Sequence, residues 1–378
     1  MSRITELYEK KLRIIERLKS LIGEDGARKA SLDSHSKRVP RPCGLTIHTG
    51  VGCDYACAYC YIYDMGFPGR VRPYPLKPLE MAYAIASNPY VLPEKSLLAY
   101  GSVTEPFHPI TKNLALEYIE NVSKWLKPLS QVSTKSFIDD GLAKRLSIAE
   151  PNISILLSIA TLDKSKELEP RAPDPIKRLE GASIAIKNGL NVTLFVRPII
   201  PSVTDREGEK ILAKALDYGI RDVVFGSLRV TERILKSLEA RGIDIDAILA
   251  RIPRAFRGRG DQVTIKESDI KKRLVSTARD MGYRVYPSAC SANIASHGQF
   301  CNMCSLGPCG DPSRKEKISE SDIGDYLEFR GVKRFDIQFD EKGVLMKICE
   351  DSRGISKEIA WHISIATRLR VSLKSVKC

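Results

Sequence analysis

The sequence predicts an α/β protein built on a parallel sheet. Six short β-rich runs recur between residues 45 and 225, four of them mostly apolar, and a helical stretch follows each one. The expected strands are Leu45–Thr49, Ser96–Gly101, Gln131–Thr134, Ile153–Ser158, Val192–Val196 and Asp222–Phe225. The helical stretches lie near 77–87, 111–126, 139–148, 174–189, 205–218 and 231–240. Six β-α units in succession imply crossover helices over a parallel sheet. Strands apolar throughout are expected to be buried on both faces. Such a sheet is open, or closes into a full or partial barrel. In either form the chemistry sits at the C-terminal strand ends.

Ahead of this core, Ile4, Tyr8, Leu12, Ile15, Leu18 and Ile22 recur at helical spacing, so residues 3–22 read as an amphipathic helix ended by Gly23 and Gly26. Residues 27–42 are polar and basic, contain Pro40 and Pro42, and read as a linker or strap. Residues 245–287 add helices and a strand candidate, Tyr283–Tyr286; residues 288–312 read as a loop rich in Cys and Gly. A small α+β appendage is expected from strands Phe335–Phe339, Val344–Ile348 and Arg370–Leu373 and a helix near 356–366. The expected divisions are 1–42, 43–287, 288–315 and 316–378.

The composition, 43% hydrophobic and 28% charged, is that of a globular chain. The longest apolar run, Ile153 to Leu162, is interrupted by Ser154, Ser158 and Thr161 and falls far short of the about 20 residues a membrane helix needs. No secretory signal is readable, so a cytoplasmic protein without a membrane partner is expected. The net charge of +14 suits phosphate-rich partners, a nucleic acid or a phosphorylated substrate. It equally suits a thermophile enzyme with a charged surface, a reading that fits the presence of only four Gln. Ten cysteines in a large cytosolic chain point to metal or catalysis rather than to disulfides. Cys43, Cys349 and Cys378 are isolated; the other seven fall in two clusters.

After the first strand comes Gly50-Val51-Gly52-Cys53-Asp54-Tyr55-Ala56-Cys57-Ala58-Tyr59-Cys60. Three thiolates at C-x3-C-x2-C spacing can hold three irons of a cubane and leave the fourth open to an outside chelator. A zinc loop lacking one ligand is the plainer alternative. Gly50 and Gly52 let the loop turn tightly. The motif resembles the C-x3-C-x-aromatic-C signature of the radical SAM superfamily, with Tyr59 in the aromatic place. That resemblance implies a partial (β/α)6 barrel and a 4Fe–4S cluster whose open iron binds S-adenosylmethionine (SAM). It also implies a reductant such as ferredoxin or flavodoxin, and cleavage of SAM to a 5′-deoxyadenosyl radical that abstracts hydrogen from a substrate.

Over residues 44–230 the finer similarity is to the spore-photoproduct-lyase-like branch. Gly101-Ser102-Val103-Thr104-Glu105-Pro106 resembles the segment that meets the SAM amino group, implicating Thr104 and Glu105. Thr134-Lys135-Ser136 resembles an element whose Lys meets the SAM carboxylate, implicating Lys135. Ser158 occupies the place of a ribose contact, and Arg197 adds a cation near the carboxylate. Residues Glu169 to Leu179 resemble the branch's loop before its fourth helix. Each has a plainer reading. Thr104 and Ser158 can cap backbone, Glu105 and Arg197 can form ion pairs, and a Pro-rich loop can simply open a helix. One departure matters. The branch has a hydrogen-donating Cys after strand two; here Ser102 stands there, and no Cys occurs between Cys60 and Cys290. A hydroxyl is a poor hydrogen-atom donor, so the resemblance supplies the radical machinery and not the repair of thymine dimers.

Cys290, Cys301, Cys304 and Cys309 form the second cluster. Four thiolates in about twenty residues suit an auxiliary 4Fe–4S cluster or a structural zinc. His297 is a substitute ligand or, more simply, an exposed loop histidine. Four Cys ligands favour electron relay or a scaffold over open-iron substrate binding. Residues 251–273 hold Arg251, Arg254, Arg257, Arg259, Lys266, Lys271, Lys272 and Arg273 beside Phe256, a composition suited to phosphate contact and stacking, or to a solvated connection. The tail adds Arg368, Arg370, Lys374 and Lys377. Tyr61, Tyr63 and Phe67 are expected to pack around the cofactor. The leading expectation is a radical SAM oxidoreductase or lyase whose substrate the sequence leaves open, with a nucleic acid as one candidate. A sulfur-inserting transferase that consumes the auxiliary cluster, and a non-catalytic zinc-ribbon nucleic-acid-binding protein, are the alternatives.

Overall fold

The structure, a computed structural model, describes residues 2–41, 44–340, 343–349 and 353–376; Cys43, Lys377 and Cys378 lie outside them. All six expected strands form: β1 (Leu45–Ile47), β2 (Leu97–Tyr100), β3 (Leu129–Thr134), β4 (Ser154–Ser158), β5 (Asn191–Ile199) and β6 (Asp222–Ser227). Arg284–Tyr286 is a seventh, β7, and pairs parallel with β6. The order is sequential from β1 to β7, and every pairing is parallel. β1 and β7 are its two edges, so the sheet is a partial barrel one strand larger than the six units alone predict.

The strands are not apolar on both faces, because side chains alternate across a strand. Leu98, Val132, Ile155, Leu157, Leu194, Val196, Val223 and Phe225 point outward into the main core. They meet the crossover helices α2 (Pro78–Ser87), α3 (Lys112–Leu126), α4 (Asp140–Ala149), α5 (Pro175–Lys187) and α6 (Thr204–Asp217). The alternate residues Thr46, Ala99, Gln131, Ser133, Ser158 and Arg197 line an inner cavity. A sheet whose crossover helices all lie on its outer side thus keeps a polar concave face for chemistry.

The first helix, α1 (Arg3–Leu32), runs further than expected. Gly23 does break it, with φ 71° and ψ 176°, but the chain resumes helix to Leu32. Ala27 and Ala30 explain this, since both are buried in the main core with Ile14 and Leu18. The start of α1 packs elsewhere: Ile4 and Tyr8 join Tyr326, Leu327, Met346 and Ile363 of the C-terminal appendage.

The expected Cys-rich loop is partly ordered. Residues Ala289–Ser296 form a helix, capped by Ser288, that lies against β3 to β7. Its Ala292 packs on Leu156, Phe195 and Val224, and Asn293 Nδ2 donates to Leu129 O at 2.9 Å. The helix therefore floors the barrel from inside. A two-stranded ribbon follows, Phe300–Cys301 against Cys309–Gly310. The appendage is a three-stranded sheet, Phe335–Asp340 antiparallel to Gly343–Cys349, which is parallel to Arg370–Val376, with the helix Arg353–Thr367 between the last two.

Candidate active site and a second thiol cluster

The cluster loop leaves β1 and is pinned at several points. Gly50–Val51 pairs with Arg72–Pro73. Gly52 sits at φ +81°, where a Cβ would overlap the carbonyl oxygens of Arg70 and Pro68. Thr104 Oγ1 donates to Gly52 O at 2.7 Å, Ala58 N to Leu168 O at 2.8 Å and Tyr63 OH to Cys53 O at 3.0 Å. Arg233 bonds Cys60 O and holds both Asp64 oxygens, at 2.9 and 2.7 Å. These contacts fix the loop's backbone, and the scaffold meets its thiols through backbone hydrogen bonds, from Tyr55 and Glu105 to Cys53 and from Ile62 to Cys60.

Those thiols share a cavity of about 330 Å³ at the C-terminal strand ends with Tyr59, Thr104, Glu105, Lys135, Ser158 and Arg197. Every residue that the sequence nominates for cofactor contact therefore lines one space. A more open hollow of about 840 Å³ lies outside the barrel, lined by Glu94, Lys127, Arg145 and His297, and holds no cysteine. Burial pushes the Cys53 thiol up to about 11 and raises Cys57 and Cys60; Lys135 opposes the shift at the latter two. The bare thiols are thus neutral at pH 7, and a metal is needed to hold them as thiolates.

The individual residues divide. Lys135 follows the last residue of β3, and its Nζ stands 5.6 Å from the Tyr59 ring centroid without a carboxylate partner among the described residues. Arg197 lies on β5 with its guanidinium 5.5 Å from the Phe195 centroid, and Gly226 gives its stem room, since a Cβ there would come within 2.7 Å of Cδ. Ser158 ends β4, and its carbonyl accepts from Arg178 Nη1 at 3.1 Å. Glu105 is committed to its neighbours: it accepts from Thr134 Oγ1 and from Lys135 N at 2.8 Å, tying the loops after β2 and β3 together. Thr104 likewise gives its proton to Gly52. Tyr59 reaches across to Glu169, which ion-pairs with Arg178, both fully buried. The loop before α5 is thereby bolted to the cluster loop. Of the three neighbouring aromatics, Tyr61 lines the cavity, Tyr63 braces Cys53, and Phe67 stays outside.

The donor set fits a three-thiolate cluster with an amino-acid chelator. Three thiols and three cationic side chains, Lys135, Arg197 and Arg229, line the cavity, and the Ser102 hydroxyl and Gln131 Oε1 are buried there without a partner among the described residues. Among those residues no three His, Cys, Asp or Glu side chains converge on one point as a single ion requires. Cubane thiolates each take a different iron and need no such convergence. Sequence reasoning missed Gln131, Ser133, Ser227, Arg229 and Ala289 as lining residues. Alternation along β3 signals the first two. Ala289 carries no signal, since it arrives only because its helix folds back into the barrel.

The second set of thiols also gathers. Cys301 and Cys309 are cross-strand partners, both packed on Leu97 and Leu129 at the starts of β2 and β3 and on Ile294 of the helix Ala289–Ser296. The Cys309 thiol is pushed up to about 11 by burial, with Cys301, Cys290 and Cys304 adding to it, so all four lie within electrostatic reach. His297 is neither ligand nor exposed loop residue. Its Nε2 lies 3.2 Å from Glu150 and its Nδ1 2.9 Å from Asn293 O, with a side chain only 9% exposed.

The basic segment packs beside the cluster loop: Phe256 joins Tyr55, Tyr59 and Tyr61, and a Cβ on Gly260 would sit 3.0 Å from Asp64 O. Part of its charge is internally matched, Arg254 to Asp261 at 2.5 Å and Arg251 to Asp269 at 2.7 Å. Arg257 and Arg259 are exposed, and no ion pair engages them among the described residues. No helix of the described residues is long and apolar enough to cross a membrane.

Comparison with known proteins concerns the family and the fold. Residues 47–215 match the family model of the radical SAM superfamily. An uncharacterized protein of Acidianus two-tailed virus is 28% identical over 227 residues, 54% of this chain and 70% of that one. An uncharacterized protein of Methanocaldococcus jannaschii is 28% identical over 172 residues, 43% of this chain and 62% of that one. Among solved structures, a spore photoproduct lyase variant with bound AdoMet and dinucleoside spore photoproduct superposes with TM-score 0.55 at 18% identity, over 69% of this chain and 80% of that one. At that identity the likeness is one of fold.

Proposed function

We propose, from the premise that this chain is a radical SAM superfamily enzyme, that Cys53, Cys57 and Cys60 hold a SAM-binding 4Fe–4S cluster serving a large, phosphate-bearing substrate. The observation that carries the reading is the single cavity shared by these thiols and the cations of Lys135 and Arg197. When bound, the cluster and SAM supply a 5′-deoxyadenosyl radical that takes hydrogen from the substrate. Lys135 has no carboxylate partner among the described residues and is suited to hold a carboxylate by a charge-assisted hydrogen bond. Arg197 is the second cation, and Ser102 and Gln131 offer unmatched polar atoms to the ligand. Ser158 is the candidate ribose contact. Glu105 and Thr104 act as positioning residues, since their polar atoms already hold the Lys135 and Gly52 backbone.

Cys290, Cys301, Cys304 and Cys309 are assigned to a second 4Fe–4S centre. A reductant such as ferredoxin or flavodoxin is the implied partner. The nucleic-acid reading draws on Arg257 and Arg259 beside the cluster loop and on the net charge of +14. The test is anaerobic purification with metal analysis and SAM titration. A brown protein that binds SAM supports the assignment. A colourless one holding zinc and no iron overturns it in favour of a zinc-ribbon protein.

A further inference from the structure

Beneath the barrel, a buried arginine reaches the second thiol cluster from the appendage. Arg368 follows the helix Arg353–Thr367 and is fully buried, at 0% exposure. Its φ of 59° is left-handed, a conformation that a non-glycine residue adopts at some strain. Nη2 donates to Lys95 O at 2.6 Å, while Nε and Nη1 have no partner among the described residues. No carboxylate pairs with it there. Glu316, the acid that influences it, is already bonded to Lys95. Its own carbonyl accepts from Asn302 N at 2.7 Å, and Asn302 and Leu369 are bridged, which sets Arg368 beside Cys301.

A buried guanidinium with two idle donor groups is expensive unless an anion meets it. The anion is close at hand once the cysteines are loaded. Four thiolates around a zinc ion or an oxidised cubane retain a net charge of about −2. We propose that Arg368 is the counter-cation of this second metal centre, so that metal occupancy and docking of the C-terminal appendage are coupled. The inference rests on the reading of Cys290, Cys301, Cys304 and Cys309 as ligands.

Two measurements test it on the full chain. In a Cys53→Ala, Cys57→Ala, Cys60→Ala protein, where only the second centre remains, Arg368→Met should speed chelator-driven metal loss about tenfold, the weight of one charge-assisted hydrogen bond. Arg368→Lys should recover part of that. Thermal melting then separates charge from structure. Arg368→Met should lower the melting temperature of the loaded protein, yet leave it unchanged or raise it when the four ligand cysteines are serine, because an unpaired buried cation has been removed. An equal loss in both backgrounds, failure to fold in both, or an unchanged rate of metal loss overturns the proposal. Absence of any metal from the triple-alanine protein overturns the ligand reading itself, a separate and distinguishable result.

Discussion

Lys135 shows how much a single strand end discloses. A lysine one residue past a buried strand of a parallel sheet is placed by topology on the reactive face, and the structure leaves its ammonium without a carboxylate among the described residues. A charge-assisted hydrogen bond in a partly dry site is worth about 1.5–3 kcal/mol. Lys135→Ala should therefore weaken SAM binding by about ten- to a hundred-fold by titration, with little change in melting temperature. Normal SAM binding with lost thermal stability would make it a structural residue. Arg178 is the contrasting case. It is sealed against Glu169, and removing one partner of a buried pair strands the other charge. Arg178→Met should lower stability by about 3–5 kcal/mol in denaturant unfolding, and adding Glu169→Leu should restore a large part. If the double variant is no better than the single one, Arg178 acts through something other than this pair. Cysteine spacing, Lys135 and Ser158 were legible from sequence because strand ends fix where they point. The commitments of Thr104 to Gly52 and of Glu105 to Lys135 N were not, because they depend on how separate loops meet.

At the level of elements, the six strands could be read because β-α alternation is a local signal. Their polar inner face was harder to see, because Ser133 and Ser158 lie within runs whose outward residues dominate the hydropathy. The sequence predicts a strand at Tyr283–Tyr286 but not its place in the sheet, and it predicts a loop where the helix floors the barrel, since their partners are remote in sequence and their placement is a tertiary decision. The continuation of α1 past Gly23 has the same cause, a docking face supplied by distant residues. The cluster loop gives a test of geometry. Gly52→Ala would combine a φ of +81° with overlap against two carbonyl oxygens. Such strain costs about 1–3 kcal/mol, and the thiols beside it should be displaced. Iron incorporation at the first site should drop by more than half on reconstitution; full incorporation would show that the turn tolerates a side chain.

Across the whole molecule, two thiol clusters sit at opposite ends of one sheet, the first at the strand C-termini and Cys301 and Cys309 at the starts of β2 and β3. Two cubanes predict about eight iron and eight sulfide per chain, whereas about four iron with about one zinc would assign the second site to zinc. The basic lobe beside the mouth makes a further prediction. If Arg257 and Arg259 each neutralise a phosphate, Arg257→Ala with Arg259→Ala should reduce the salt dependence of oligonucleotide binding by a log–log slope of about two. An unchanged slope would exclude these arginines from the interface. That Cys53, Cys57 and Cys60 drive cleavage of SAM is read out by product analysis. Reconstituted protein given dithionite and SAM should form 5′-deoxyadenosine, and the Cys53→Ala, Cys57→Ala, Cys60→Ala protein should form none; equal yields from the two would contradict the account.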